Sequence, residues 1–318
     1  MKKINNHFSK FLFISLAGLI ISSCGQDNPM KRNNTTDSAL VAFQKGEKFI
    51  FTDSVQTYFI TNSNKGTRID ISPNSFVFEN GTSPVEDVVI EIKEFVSPAD
   101  FIWSKLSMQG KNGLLKLGGA IYIEAKSGDK ALKLREGKTI KISFPVGSDP
   151  QKMNLYTGTI KDGYIEWGHI LDSIQPPPNI NDTIILEGGI KGISFASKFD
   201  YYSFNSTEVG WLFCGYELKK ENTTKLSLSI DTTIIPNTKI LFNDIKTIGV
   251  PVYENGYLIF HNIPIGEKAT LFGFYQEDGA KFFMYRKDVI VGNNMIENSI
   301  FKEVSLDQLK AEIETIKW

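Results

Sequence analysis

Alternation of apolar and polar residues with a period of two dominates the chain from Glu47 onward. Val88, Ile90 and Ile92 alternate with Val89, Glu91 and Lys93, and Ile140, Ile142 and Phe144 alternate with Thr139, Lys141 and Ser143. Such a pattern gives each strand one buried and one wet face. Between the runs stand Asn80-Gly81, Asn112-Gly113, Asp162-Gly163, Asn255-Gly256 and Asp278-Gly279. Glycine there accepts positive φ, which tight hairpin turns require. Short alternating strands joined by such turns predict a mainly β chain of antiparallel sandwiches rather than an α/β sheet. One helix is well signalled, at the C-terminus. Ser305 and Gln308 make a capping box, and Leu306, Leu309, Ile313 and Ile316 follow on one stripe. A shorter helical turn is expected near Pro98–Leu106.

Pro176-Pro177-Pro178-Asn179 cannot sit in a central strand and reads as a linker. The expected organisation is therefore two β-sandwich domains, residues 47–175 and an Ig-like 180–318, the second carrying the short C-terminal helix. Residues 25–46 are polar and rich in Asn and Thr, a composition too poor in apolar surface to order itself. With Cys24 they make a flexible tether over 24–46, able to extend about 70 Å at ~3.3 Å per residue.

The first 23 residues have a different character. Lys2, Lys3 and Lys10 form a positive start, and Phe11–Ile21 is free of charge. That run falls short of the roughly 20 residues needed to cross a bilayer, but suits a cleaved signal. Ile21-Ser22-Ser23-Cys24 resembles the lipobox of bacterial lipoproteins. The resemblance implies cleavage before Cys24, acylation of its thiol, and anchoring to the cell envelope, at the outer membrane; only one acidic residue, Asp27, follows closely, so the periplasmic and surface faces both stay open. Several acyl chains hold a protein firmly where one holds it marginally. Removing residues 1–23 leaves 32 basic against 36 acidic residues, a net of about −4, so no basic excess points to nucleic acid. With Cys24 lipidated, Cys214 has no partner in the chain.

Residues that could carry chemistry are sparse. Outside the first 23 residues the histidines are His169 and His261, in different expected domains and without metal-ligand spacing. No nucleophile elbow and no cofactor fingerprint appears, so a non-enzymatic role without metal or cofactor is expected. Cys214 lies in an apolar run, Val209-Gly210-Trp211-Leu212-Phe213-Cys214, which favours an inert core thiol. Glu91, Glu94 and Glu124 could supply a glycosidase-type carboxylate pair, though on strands such acids more often mark the wet face. Trp103 falls in an irregular stretch and could stack on a sugar ring if exposed; the alternative is a core aromatic. Asp followed by Ser or Thr recurs ahead of small, aliphatic or Thr residues, at Ser38, Ser54, Ser173, Thr183 and Thr232. The triplet resembles an O-glycosylation signal of exported bacterial proteins, while Asx-turn chemistry beside strands favours the same pairs.

A longer likeness lies in residues 66–145. Ser72-Pro73-Asn74-Ser75-Phe76, Glu94, Gly118-Gly119 and Tyr122 to Ala125 resemble the signature of a group of bacterial surface lipoproteins whose N-terminal module is ZU5-like. Gly210-Trp211-Leu212-Phe213-Cys214 and Phe260 to Gly266 resemble later motifs of the same group. The likeness covers about two thirds of the chain, and its motifs are structural. It implies a β-sandwich that contacts another envelope protein or acts as a spacer, with a carbohydrate- or ligand-binding accessory role as the alternative; it assigns no catalytic residue.

Overall fold

The structure, a computed structural model, describes residues 31–32, 46–53, 58–104, 106–110, 113–146, 152–161, 164–174, 201–219, 221–230, 234–277, 279 and 281–318. Described side chains exclude those of residues 31, 32, 161, 164, 169–174 and 234. As expected, the chain is mainly β with a short C-terminal helix.

The first half runs β1 (Lys31–Arg32), β2 (Glu47–Phe51), β3 (Phe59–Asn62), β4 (Arg68–Ile71), β5 (Phe76–Val77), β6 (Val88–Phe95), α1 (Pro98–Ile102), β7 (Leu106–Gly110), β8 (Gly113–Ser127), β9 (Lys130–Ala131), β10 (Lys133–Leu134), β11 (Ile140–Pro145), β12 (Met153–Lys161), β13 (Tyr164–Ile174), β14 (Tyr201–Ser206) and β15 (Gly210–Glu217). A four-stranded sheet, β14-β11-β4-β3, faces the eight-stranded sheet β15-β12-β13-β7-β8-β6-β2, to which the short β9 adds. The alternation explains the core between them. Ile69, Ile71, Ile140, Ile142, Phe144, Tyr202 and Phe204 from one sheet meet Val88, Ile90, Ile92, Ile121, Ile123 and Leu212 from the other.

The second half runs β16 (Thr223–Ser229), β17 (Ile234–Ile235), β18 (Asn237–Phe242), β19 (Thr247–Gly249), β20 (Val252–Glu254), β21 (Tyr257–Pro264), β22 (Lys268–Glu277), β23 (Lys281–Ile290), β24 (Met295–Asn298), β25 (Lys302–Val304) and α2 (Leu306–Glu314). Sheets β20-β21-β16-β24 and β19-β18-β22-β23-β25 enclose Leu226, Leu228, Phe242, Phe260 and Leu271. The Asn255-Gly256 turn joins β20 to β21, with both residues at positive φ (50° and 85°), as an Asn-Gly hairpin needs. The Ser305–Gln308 capping box forms at the start of α2, and a second, Ser97 with Asp100, starts α1.

The boundary between the two halves differs from the expected one. Residues 176–179 lie outside the described residues, but the strands after them return to the first half. β14 pairs with β11 over six residues, and β15 pairs with both β12 and β8. Because β12 also pairs with β13, β13 with β7 and β7 with β8, five strands close a ring. The first half therefore extends through Glu217. Local patterning could not show this, since proline punctuation marks a break in the chain and says nothing about which sheet receives the next strand.

A ring this small needs curvature, and register shifts occur between Leu155 and Tyr156, Thr157 and Gly158, and Cys214 and Gly215. Such bulges bend strands. Gly215 admits the closest approach: a Cβ there would stand 2.3 Å from the Lys116 carbonyl oxygen and 2.3 Å from the Phe213 ring. Gly215→Ala should lower stability by about 1–3 kcal/mol, since a backbone oxygen cannot swing aside. Gly168→Ala, with nothing within 4 Å of the new methyl, should change it by less than about 1 kcal/mol. Urea denaturation of both variants measures the contrast, and equal midpoints would refute the account of ring closure.

Candidate functional site

Cys24, Ser38, Ser54, Thr183 and Thr232 lie outside the described residues, and Ser173 falls in β13 where side chains are not described. Asp53, which precedes Ser54, accepts hydrogen bonds from the backbone N–H groups of Ser75 (3.0 Å) and Phe76 (2.8 Å). This carboxylate satisfies main-chain donors across the fold. Trp103 departs from an exposed stacking platform. It forms the C-cap of α1, is 7% exposed, and meets Phe274 edge-on at 5.4 Å, so its faces are spent on packing.

The other candidates occupy structural positions. Cys214 is fully buried, and burial pushes its thiol pKa up, leaving an unreactive group. His261 sits within β21, and its Nε2 lies 3.0 Å from Glu254 Oε1. Glu91 and Glu124 face each other across the β6–β8 ladder. Each is held by lysine: Glu91 by Lys93 at 3.3 Å and Lys48 at 3.6 Å, Glu124 by Lys126 at 2.8 Å. Glu94, 9% exposed, accepts from the N–H groups of Lys65 and Thr67. Among the described residues no group of three or more His, Cys, Asp or Glu is placed to hold a metal ion.

Two features were not legible as sites. The first is the seam between the halves. Phe95, Phe101, Trp103, Tyr156 and Trp167 share one core with Leu241, Phe272, Phe274, Leu309 and Ile313. Side chains of β18 and β19 reach across it to main-chain carbonyls: Asn237 Nδ2 donates to Ile102 (3.0 Å), Lys239 Nζ to Leu106 (2.7 Å) and Thr247 Oγ1 to Leu115 (2.7 Å). Lys239 is 1% exposed, and burial lowers its pKa to about 7. An ammonium removed from water without a carboxylate partner is disfavoured, so the neutral amine gains.

The second is a cleft of about 450 Å³ on the face of β22 and β23 that also carries Phe272, beside the C-terminal end of α2. Its lining includes Asn243, Asp244, Lys268, Thr270, Arg286 and Asp288. Thr270 Oγ1 donates to Asp288 at 2.7 Å, and Arg286 Nη1 donates to Glu312 Oε1 and Thr315 Oγ1, each at 2.7 Å. Asn243 Oδ1 is shielded from solvent and finds no hydrogen-bond partner among the described residues. The lip that carries it is fixed: Lys246 closes the turn at φ 49°, and its carbonyl accepts from Leu117 N–H of β8 at 3.1 Å. No protein-family model, curated protein or solved structure matches this chain.

The buried lysine makes a signed pH prediction. With a folded pKa lowered from 10.5 to about 7, the unfolded chain binds more protons between those values. Stability from this group therefore rises with pH across that window and is lowest below about 7. Lys239→Met removes the ionisation but orphans the Leu106 carbonyl. The variant should be favoured relative to the natural protein near pH 6 and lose ground steadily toward pH 10, read by denaturant unfolding. Parallel pH profiles would show that Lys239 is not the titrating group.

Proposed function

We propose that this chain is a lipid-anchored lipoprotein of the bacterial cell envelope, at the outer membrane, acting as a non-enzymatic structural or protein-interaction module. The observation that carries the role is the seam. Two sandwiches share one apolar core, crossed by hydrogen bonds from Asn237, Lys239 and Thr247 to main-chain oxygens. A hinge would need a small, wet interface, whereas a dry interface with directed hydrogen bonds transmits position and load. That suits a spacer or a rigid docking body on a tether. The basic start, the short apolar run and the lipobox-like Ile21-Ser22-Ser23-Cys24 support the anchor. The ZU5-like motifs support an interaction role.

A carbohydrate- or ligand-binding accessory lipoprotein is the second role, and the cleft between Asn243 and Asp288 favours it. With Trp103 buried, that cleft replaces the tryptophan as the place where a ligand would sit.

Cys24→Ser should move the protein from the membrane fraction to the soluble fraction of cells. Crosslinking of the natural protein in intact cells, followed by affinity recovery, should yield one envelope protein in near-stoichiometric amount, and the Cys24→Ser variant should lose it. Retention of the variant in the membrane fraction would remove the lipid anchor. Recovery of the lipoprotein alone would remove the interaction role.

A further inference from the structure

We propose that the free edge of β24 pairs antiparallel with β24 of a second copy of this chain, forming a two-fold dimer. β24 ends the sheet β20-β21-β16-β24 and lies parallel to β16, with Ser229 opposite Asn298. Ser299 N–H donates to the Ser229 carbonyl at 2.9 Å. In that register the main-chain groups of Glu297 and Ser299 point to β16, and those of Ile296 and Asn298 point outward. The outward positions are also the exposed ones. Ile296 and Ile300 are each 67% exposed, Asn298 is exposed, and Ser299 is buried.

Sheet edges are normally blunted by charge, proline or a bulge. Pro251 precedes β20, β2 carries Glu47 and Lys48, and β25 carries Lys302 and Glu303. β24 has a single charge, Glu297, whose largely buried side chain is paired with Lys287. The edge is also self-complementary. A two-fold axis through Asn298 sets Ile296 against Ile300 of the second copy and Ile300 against its Ile296, so both apolar side chains leave water together. Glu297 then faces Ser299, and no like charges meet. An axis through Glu297 would oppose two carboxylates, and one through Ile296 would leave Ile300 in water. β3 also lacks charge, but an axis through Ile60 sets Tyr58 against Asn62. An edge this short falls below the roughly 1,200–2,000 Å² of stable interfaces, so free molecules pair weakly. Anchoring to one membrane raises their effective concentration, and a weak isologous contact then suffices.

The inference rests on the lipid anchor proposed above only for that concentration. Asn298→Cys in the full chain tests it in intact cells oxidised with copper phenanthroline. At the two-fold axis the paired Cα atoms would stand about 5.5 Å apart, within the roughly 4.4–6.8 Å that a disulfide spans. Cys214 is buried and does not compete. Non-reducing electrophoresis should show a covalent dimer forming about tenfold faster than from Asn62→Cys, an exposed position on β3. Adding Ile296→Lys should cut the rate to that of the control; Ile296 is exposed, so the variant keeps its fold. Equal rates at positions 298 and 62 would overturn the inference, as would an Ile296→Lys variant that dimerises as fast, or a disulfide to a different protein alone. Fractionation of the same cells reads the anchor separately: a soluble protein that still forms the dimer removes the anchor and keeps the pairing.

Discussion

Burial of the second faces of two sheets is the constraint on which the rest of this molecule depends. Each half has an internal core, but the eight-stranded sheet and the β22 sheet also carry apolar side chains on the face turned toward the other half. Left in water, Phe95, Trp103, Phe272 and Phe274 would make a patch larger than soluble proteins tolerate. Helices α1 and α2 lie in that gap and add Phe101, Ile102, Leu309 and Ile313. The hydrogen bonds from β18 and β19 then fix the register of one half against the other, because a carbonyl has a direction and a methyl group does not. Trp318, the final residue, adds one more such bond to the Val96 carbonyl at 2.8 Å.

Much of the fold was legible because it is local. Alternation placed Ile140, Ile142 and Phe144 inward, Asn255-Gly256 made its hairpin, and Ser305 with Gln308 began the last helix. What failed was non-local. The proline run suggested a division that β14 and β15 ignore, since strand pairing across a long connection leaves no trace in a short window. Lys239 failed for a related reason. In Asn237–Phe242 it occupies the alternate position to Thr238 and Ile240, which by pattern is a wet face; only the arrival of α1 and β7 makes that face dry.

The candidate site was less legible than the fold. Its floor is an ordinary polar strand face and its lip an ordinary turn, and no motif links Asn243 to Lys268 or Asp288. What makes the place distinctive is Asn243 Oδ1, which neighbouring chain shields from solvent without offering it a donor among the described residues. Trp103 shows the reverse case. Its irregular stretch left a stacking platform and a core aromatic both open, and the structure sets the indole at the C-cap of α1 against Phe274 in the seam. Aromatic residues near loops are poor guides where two layers meet, because the loop of one layer can be the interior of the next.

The ring closed by β15 also sets an order of events during synthesis. Its pairing with β8 joins residues about a hundred positions apart, and a chain made from its N-terminus lacks that partner until Glu217 has emerged. Until then β8 and β12 hold unpaired edges, the kind of surface that recruits other strands. Pairings of such long sequence separation also form slowly, because the intervening loop must first be ordered. This protein therefore passes through a long interval in which most of its sheet exists without its closing strand. Its vulnerability to aggregation or proteolysis is concentrated in that interval.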